Sequence, residues 1–465
     1  MEDNLDSPEW VKDSIFYQIF PERFANGNPE NDPAWVMPWG TPPTPQNFMG
    51  GDLQGILDHL PYLRDLGINA IYLTPVFAAR SNHKYDTSDY LLVDPAFGDI
   101  ELLKKLVGEA HQNNMRVILD GVFNHCGDGF WAFQDVMEKG HDSQYRDWFI
   151  LSEFPLDQDP PNYQTCGGAG FLPKLNHANA EVQQYLLEVA VFWIKETGID
   201  GWRLDVPWKV PLDFWHEFRR RVKEIRPDAY IVAEAWRDGM RWLQGDTCDG
   251  VMNYPLRDYI LDYCARDAMD AEDFDHFVTR LNEMYGAVAP MQLNLLGSHD
   301  TARLLAICRE DPSRAMLAFI CMFTGVGAPM IYYGDENGLT GENDPDCRRC
   351  MDWNPEHWNG QVRDTVKKLA TLRLEHPALR GGRYETLLTF NGIYAYRRSL
   401  GDDQVIIVTN PRNMYKQVAI PLSSGARAGE WLDTLSGRIY MSSENMLLLP
   451  ELQARQGLIL IPHLH

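Results

Sequence analysis

Four short apolar runs in this 465-residue chain end in groups that handle protons and charge. One closes with Asp120-Gly121-Val122-Phe123-Asn124-His125, and a second reads Gly201-Trp202-Arg203-Leu204-Asp205-Val206. A third ends Glu234-Ala235-Trp236, and a fourth leads to Ser298-His299-Asp300. Side chains alternate along a strand, so Arg203 shares a face with Asp205, and Glu234 with Trp236. If those faces look into one interior, Asp205, Glu234 and Asp300 converge, with a guanidinium and two imidazoles beside them. Such a trio suits cleavage of an acetal. The leaving oxygen needs a proton, and the developing oxocarbenium ion needs negative charge nearby. Two carboxyls about 5–5.5 Å apart give a covalent intermediate and retention; a gap of about 6.5–9.5 Å gives inversion. Each residue taken singly has a plainer reading: helix cap, structural ion pair or packed histidine. Their recurrence at successive strand ends of one chain is what favours chemistry.

The elements that must position these groups are also legible. Apolar runs at 14–20, 70–77, 116–123, 201–206, 230–236, 250–254, 292–296 and 329–333 read as buried strands. Amphipathic stretches at 53–66, 100–113, 181–197 and 212–225 lie between them. Strands alternating with helices over this length predict an α/β fold, a (β/α)8 TIM barrel, whose catalytic groups sit at the C-terminal ends of the strands. No GxGxxG follows the first strand, against a doubly wound sheet. The region 126–175 is rich in Pro and Gly, with no clear strand–helix unit, and is expected to form a loop-rich insertion walling the site. From 383 the pattern becomes short strands, at 393–397, 404–409, 417–421, 445–449 and 457–462, predicting a C-terminal antiparallel β-sandwich. The domains expected are thus a barrel over 1–125 and 176–382, the insertion over 126–175, and the sandwich over 383–465.

Composition excludes some partners. The net charge is −24, which repels phosphate backbones and anionic lipid, so neither nucleic acid nor a membrane surface is expected. The uncharged stretch 315–333 is broken by Thr324, Gly325, Gly327 and Pro329, and reads as buried helix, turn and strand rather than a membrane span. The acidic N-terminus lacks an apolar run, so no signal peptide is expected and the expected location is cytoplasmic. Eight cysteines are scattered. Cys347 and Cys350 form the one CxxC, with Arg348 and Arg349 between them and no second pair, which speaks against zinc.

DGVFNH, GWRLDVPWK, EAW and GSHD together resemble the four signature regions of the α-amylase family of glycoside hydrolases. GINAIYLTPVF at 67–77, LPKLN at 172–176 and GAPMIYYGDENG at 327–338 resemble its auxiliary regions, in the same order. The resemblance implies Asp205 as nucleophile, Glu234 as general acid/base, and Asp300 as the carboxylate that binds sugar hydroxyls and helps keep Glu234 protonated. It implies that Arg203 orients Asp205, that His125 and His299 bind hydroxyls, that Tyr85 stacks beneath the sugar and that Trp236 forms an acceptor-side platform. LPKLN, NHKYDTSDY and PDCRR are similar to the neopullulanase, cyclomaltodextrinase and maltogenic amylase group. That group usually carries an N-terminal β-domain, whereas here the first strand is expected near Ser14, as in compact members. Pro207-Trp208-Lys209 and Ala235 depart from the group's pattern on the acceptor side. The activity implied is a retaining hydrolase of α-1,4 and/or α-1,6 bonds in maltooligosaccharides, cyclodextrins, pullulan or branched dextrins, with transglycosylation. The alternatives are a transferase or isomerase of the same family acting on small α-glucosides, or a non-catalytic glucan binder. The partner expected is an α-glucan, and the state a monomer or homodimer.

A turn-rich loop holds Asn26, Asn28, Asn31 and Asp32, with Gly50 and Asp52 following. Oxygen ligands so closely spaced suit calcium, although read bare the loop is more simply a run of turns. The resemblance implies a structural calcium ion there.

Overall fold

The computed structural model describes residues 7–422, 429–443 and 445–463; the acidic residues 1–6 at the N-terminus lie outside these. Strand β1 (Phe16–Ile19) pairs in parallel with β2 (Ala70–Leu73). A separate antiparallel pair follows, β3 (Phe77–Ala79) and β4 (Thr87–Val93). Beyond β2, the main sheet continues through β5 (Arg116–Gly121), β6 (Gly201–Leu204), β7 (Tyr230–Ala233) and β8 (Gly250–Val251). From β1 it continues the other way through β10 (Ala328–Tyr332), preceded in the chain by β9 (Leu293–Leu295). The open ends meet at a parallel bridge from Met252 to Leu293, where Asn253 N donates to Leu293 O at 2.8 Å. The chain therefore folds as a TIM barrel. Each of the eight apolar runs forms a barrel strand, shorter than its run except at β10, which keeps its length and starts one residue earlier.

Parity decides what each strand buries. Phe16, Tyr72, Ile118, Val232 and Leu293 fill the barrel interior. Tyr17, Ile71, Val117 and Ile231, one residue away, pack under the surrounding helices. Strands covered on both faces read as continuous apolar runs, as β7 does. Two residues beyond Ile118, the same parity carries Asp120 inward. Register then places Arg203 opposite Asp120, with Val232 next to Arg203 on the other side.

The helices match their amphipathic patterns, with two differences. The stretch 53–66 is two helices, Leu53–Asp58 and Leu60–Asp65, because Pro61 stands in the first turn of the second and cannot continue the ladder of the first. The insertion contains a helix, Trp131–Lys139, where only loop was expected. Ala132, Phe133 and Val136 give it one buried face, too short to stand out as a period. The uncharged stretch folds as helix Pro312–Thr324 followed by β10.

The C-terminal region is an eight-stranded antiparallel sheet: β11 (Arg383–Phe390), β12 (Ile393–Leu400), β13 (Asp403–Asn410), β14 (Tyr415–Pro421), β15 (Gly429–Asp433), β16 (Ile439–Ser443), β17 (Met446–Leu452) and β18 (Gln456–Pro462). The strands make one hydrogen-bonded run whose end strands, β11 and β14, come together around Ile406, Leu460 and Trp431. β11, β15 and β16 have no counterpart among the expected strands. β16 exposes Ile439 and Met441, which blurs its alternation, and β11 is half-buried throughout.

The sheet is fastened to the barrel through buried polar contacts. Tyr263 Oη, at the end of helix Tyr254–Cys264, donates to Gly392 O at 2.9 Å and lies 3.0 Å from Thr409 Oγ1. Arg398 is fully buried and donates to Thr324 O and Gly325 O, each at 2.6 Å. No carboxylate accepts from it in these contacts, and burial pulls its guanidinium down to about 10.

Candidate active site

Arg203 is the hub. Its Nη1 donates to Asp120 Oδ1 and Oδ2 at 3.0 and 3.1 Å, and to Asp205 Oδ1 at 2.9 Å. Its Nη2 lies 3.1 Å from Glu234 Oε2. Arg203 and Asp120 are essentially out of water, while Asp205 and Glu234 are each 6% exposed at the strand ends. One planar group therefore faces three carboxyls, and two of them, Asp205 and Glu234, sit against adjacent nitrogens.

The local backbone sharpens this arrangement. Val206, directly after Asp205, has φ +43° in the left-handed region, a costly conformation for a β-branched residue. That turn aims Val206 N at Glu234 Oε2, 3.0 Å away. The other oxygen, Glu234 Oε1, accepts from Trp236 Nε1 at 2.6 Å. Trp236 is in turn stacked on Tyr254, with ring centres 3.9 Å apart and planes 17° apart.

On the opposite side stand Tyr85, His299 and Asp300. Tyr85 Oη donates to Asp120 Oδ2 at 2.8 Å and lies 2.6 Å from His299 Nε2. The two rings are nearly parallel, 12° apart. Gln18 Nε2 donates to His299 Nδ1 at 2.8 Å, which leaves the imidazole proton on Nε2. Asp300 is held between His299 Nε2 at 3.2 Å and Arg348 Nη2 at 3.4 Å. Arg348 also donates from Nε to His299 O at 2.9 Å. His125 is buried beside Asn124, whose Nδ2 lies 3.1 Å from His125 Nδ1, and its Nε2 has no well-formed partner among the described residues.

Burial sets the protonation of these groups. It pushes His125 down to about 4 and holds His299 well below the ordinary imidazole range, Arg348 and Arg203 adding to the effect on His299. Both rings are neutral at pH 7 and can donate and accept. Burial raises the Asp205 carboxyl, Arg203 pulls it back down, and the Glu234 charge raises it again. Burial also raises Asp300, against Arg203 and Arg348.

Asp205, Glu234, Asp300, Arg203, Tyr85, Trp236 and His299 thus belong to one connected constellation, with His125 at the end of β5 nearby. Asp120, Tyr72, Gln18 and Arg348 are parts of it that residue types alone did not single out. Tyr72 Oη donates to Asp120 Oδ2 at 2.5 Å. The signal for Asp120 was its parity with Arg203, and for Arg348 its place in PDCRR.

The loop after β1 is a second polar cluster. Asn26 Nδ2 donates to both Asp32 oxygens, at 2.9 and 3.0 Å. Asp52 accepts from Gly27 N and Asn28 N at 3.0 and 2.8 Å, and from Gly55 N at 2.6 Å as the cap of helix Leu53–Asp58. The Asn28 side chain accepts from Glu30 N. Gly50 has φ +82°, and a Cβ there would fall 2.2 Å from Asp32 Oδ1. Among the described residues the side-chain oxygens of Asn26 and Asn31 are buried with no donor. These orphaned oxygens, in the loop that carries the Asp32 and Asp52 carboxylates, fit a hard cation.

A barrel whose strand ends bring a buried carboxylate, a second carboxyl and a bridging arginine to one mouth has the groups a glycosidase needs. The comparisons say which kind: a family model described as "Alpha amylase, catalytic domain" matches residues 18–371, and the chain belongs to the α-amylase family of glycoside hydrolases. It is 50% identical to a cyclomaltodextrinase of Geobacillus thermopakistaniensis, over 93% of this chain and 74% of that protein. It is 46% identical to the intracellular maltogenic amylase of Bacillus subtilis, over 90% of this chain and 72% of that one. The crystal structure of a cyclic α-maltosyl-(1→6)-maltose hydrolase from Arthrobacter globiformis superposes with a TM-score of 0.90 at 43% identity, covering 98% of this chain and all of that one.

Proposed function

We propose that the protein is a retaining hydrolase of α-1,4 and α-1,6 glucosidic bonds. The observation that carries the reading is the Arg203 bridge, which presents the Asp205 and Glu234 carboxyls side by side. Asp205 attacks the anomeric carbon while Glu234 passes its proton to the departing oxygen. Water then gives its proton to the Glu234 carboxylate and attacks the same carbon, breaking the bond to Asp205. A sugar hydroxyl in place of water gives transglycosylation. Asp300, His125 and His299 bind hydroxyls of the reacting sugar, and Tyr85, pinned by Asp120 and His299, supports its face. Two inversions at one carbon leave the configuration unchanged. Proton NMR of early hydrolysis, before mutarotation, should show the new reducing end as the α-anomer; the β-anomer appearing first is incompatible with a nucleophilic Asp205.

A calcium ion held by Asn26, Asn28, Asn31, Asp32, Gly50 and Asp52 is part of the same reading, supported by the orphaned oxygens of Asn26 and Asn31. It supplies no step of the reaction; it ties the loop after β1 to the barrel. A ligand that binds only the native state adds about 2.7 kcal/mol at a hundredfold excess over Kd. Calcium should therefore raise the Tm of chelator-treated protein, with kcat changing little. Asp52 caps a helix regardless of any ion, so Asn31→Ala is the discriminating variant. Its Tm should no longer respond to calcium, and a wild-type response would argue against the site.

A cytoplasmic location is part of the same reading, supported by the likeness to the intracellular maltogenic amylase of Bacillus subtilis. Among the described residues no helix is long and apolar enough to cross a membrane. Cell fractionation with an antibody to the chain tests this.

A further inference from the structure

We infer that the leaving-group side of the site is forked, and that the fork selects α-1,6 branch points lying within a glucan chain. The inference rests on the hydrolase reading above. Trp236 marks the leaving-group side, because its indole N–H is bonded to Glu234, the group that protonates the departing oxygen. One face of the indole is covered by Tyr254, yet Trp236 remains 41% exposed. Two clefts run from it. The first, about 420 Å³, continues over Pro255, Tyr259 and Phe277 to Met284. Tyr259 and Phe277 are stacked there, with ring centres 4.8 Å apart. The second, about 400 Å³, runs over Ala235 to Trp208 and Trp242. Trp236, Arg237 and Asp238 line both. Each cleft offers aromatic surface with a few charged groups at its rim, the make-up of a sugar-binding groove.

Two features of the sequence open the second cleft. Ala235 brings only a methyl group to its wall, and Trp208, at 40% exposure, follows the Val206–Pro207 turn. Both line this one cleft.

The chemistry of the leaving sugar says what two outlets are for. When an α-1,4 bond breaks, the leaving glucose was joined to the donor through its O4, so its chain continues only from C1. When an α-1,6 branch breaks within a chain, the leaving glucose was joined through O6, and chain continues from both C1 and O4. One groove serves the first case; two diverging grooves serve the second. Both arms then contribute binding energy next to the reacting bond, where it distinguishes substrates.

The test compares two α-1,6-linked oligosaccharides of equal size. In one the branched glucose lies within a chain; in the other it is the non-reducing end of the acceptor, so its O4 is free. Wild type should favour the internal branch in kcat/KM by about tenfold or more, the discrimination of roughly one well-placed contact. Of Phe277→Ala and Trp208→Ala, the variant that strips the cleft holding the O4 arm should bring the ratio close to one while leaving kcat/KM on the terminal-branch substrate within about twofold. The other variant strips the cleft holding the C1 arm, which both substrates share, and should lower kcat/KM on both while leaving their ratio unchanged. Equal wild-type rates on both substrates overturn the fork, as does a preference that survives both substitutions. A wild-type enzyme releasing no sugar from either substrate sinks the hydrolase reading itself, and is thereby distinguished from failure of the fork alone.

Discussion

Asp205→Asn should reduce turnover of soluble α-glucan by at least about 10³-fold, with circular dichroism and Tm little changed. The amide is nearly isosteric and keeps an oxygen to accept from Arg203 Nη1, so the fold is retained while the nucleophile is lost. Glu234→Gln should cause a comparable loss on natural glucans. It should spare the first step on an α-glucosyl fluoride, whose leaving group needs no proton. The pair of results separates the roles: a fluoride substrate distinguishes an absent acid from an absent nucleophile. Near-wild-type starch hydrolysis by either folded variant would falsify the assignment.

Arg203→Met carries the second large effect, through electrostatics. The guanidinium is buried and faces Asp120, Asp205 and Glu234; burial raises the Asp205 carboxyl well above the ordinary carboxylate range, and the Arg203 charge is the largest effect opposing that rise. Removing it leaves Asp120, fully buried, without its cation. Breaking a buried pair in this way costs about 3–5 kcal/mol. The kinetic sign follows from the charge. With Arg203 gone, the Asp205 pKa rises, the ionised nucleophile is populated only at higher pH, and the acid limb of the kcat/KM profile moves to higher pH. The Tm deficit of the variant should shrink as pH falls, because protonating Asp120 and Asp205 removes the uncompensated charge. A variant whose acid limb stays in place argues that Arg203 has only a packing role.

Most of this site was legible because barrel strands are short and their parity is strict. Arg203 and Asp205 must share a face, Glu234 must point where Val232 points, and the strand ends must open together. Asp120 was within reach of the same reasoning, since the register sets it opposite Arg203. It was read as part of a motif, not as the second carboxylate on the guanidinium. What parity does not reach was less legible. Gln18 sits at the far end of the chain from His299, and nothing in spacing couples them. The left-handed Val206, which sets Glu234 against the residue after the nucleophile, carries no glycine to advertise it. In the C-terminal sheet the strongly alternating strands were visible. β11 was not, because its interior is half-buried on both faces, and β16 was not, because it exposes Ile439 and Met441 and buries Ser442, so its alternating burial is not matched by alternating hydrophobicity.

Helix Tyr254–Cys264 spans the distance between two places that share no residues. At its first residue Tyr254 lies under the Trp236 ring, and near its last Tyr263 is bonded to Gly392 in the turn between β11 and β12 and to Thr409 of β13. Eleven residues at about 1.5 Å each make a rigid strut of roughly 16 Å. A shift of the C-terminal sheet is therefore delivered to the platform beside Glu234 as a tilt, with no slack element between to absorb it. For directed evolution this turns a remote surface into a dial. Variants selected for altered bond or acceptor preference should map not only to the cleft but to the seam where the sheet grips this helix, and grafting the sheet of another enzyme onto this barrel should retune the acceptor side even though no catalytic atom has been exchanged.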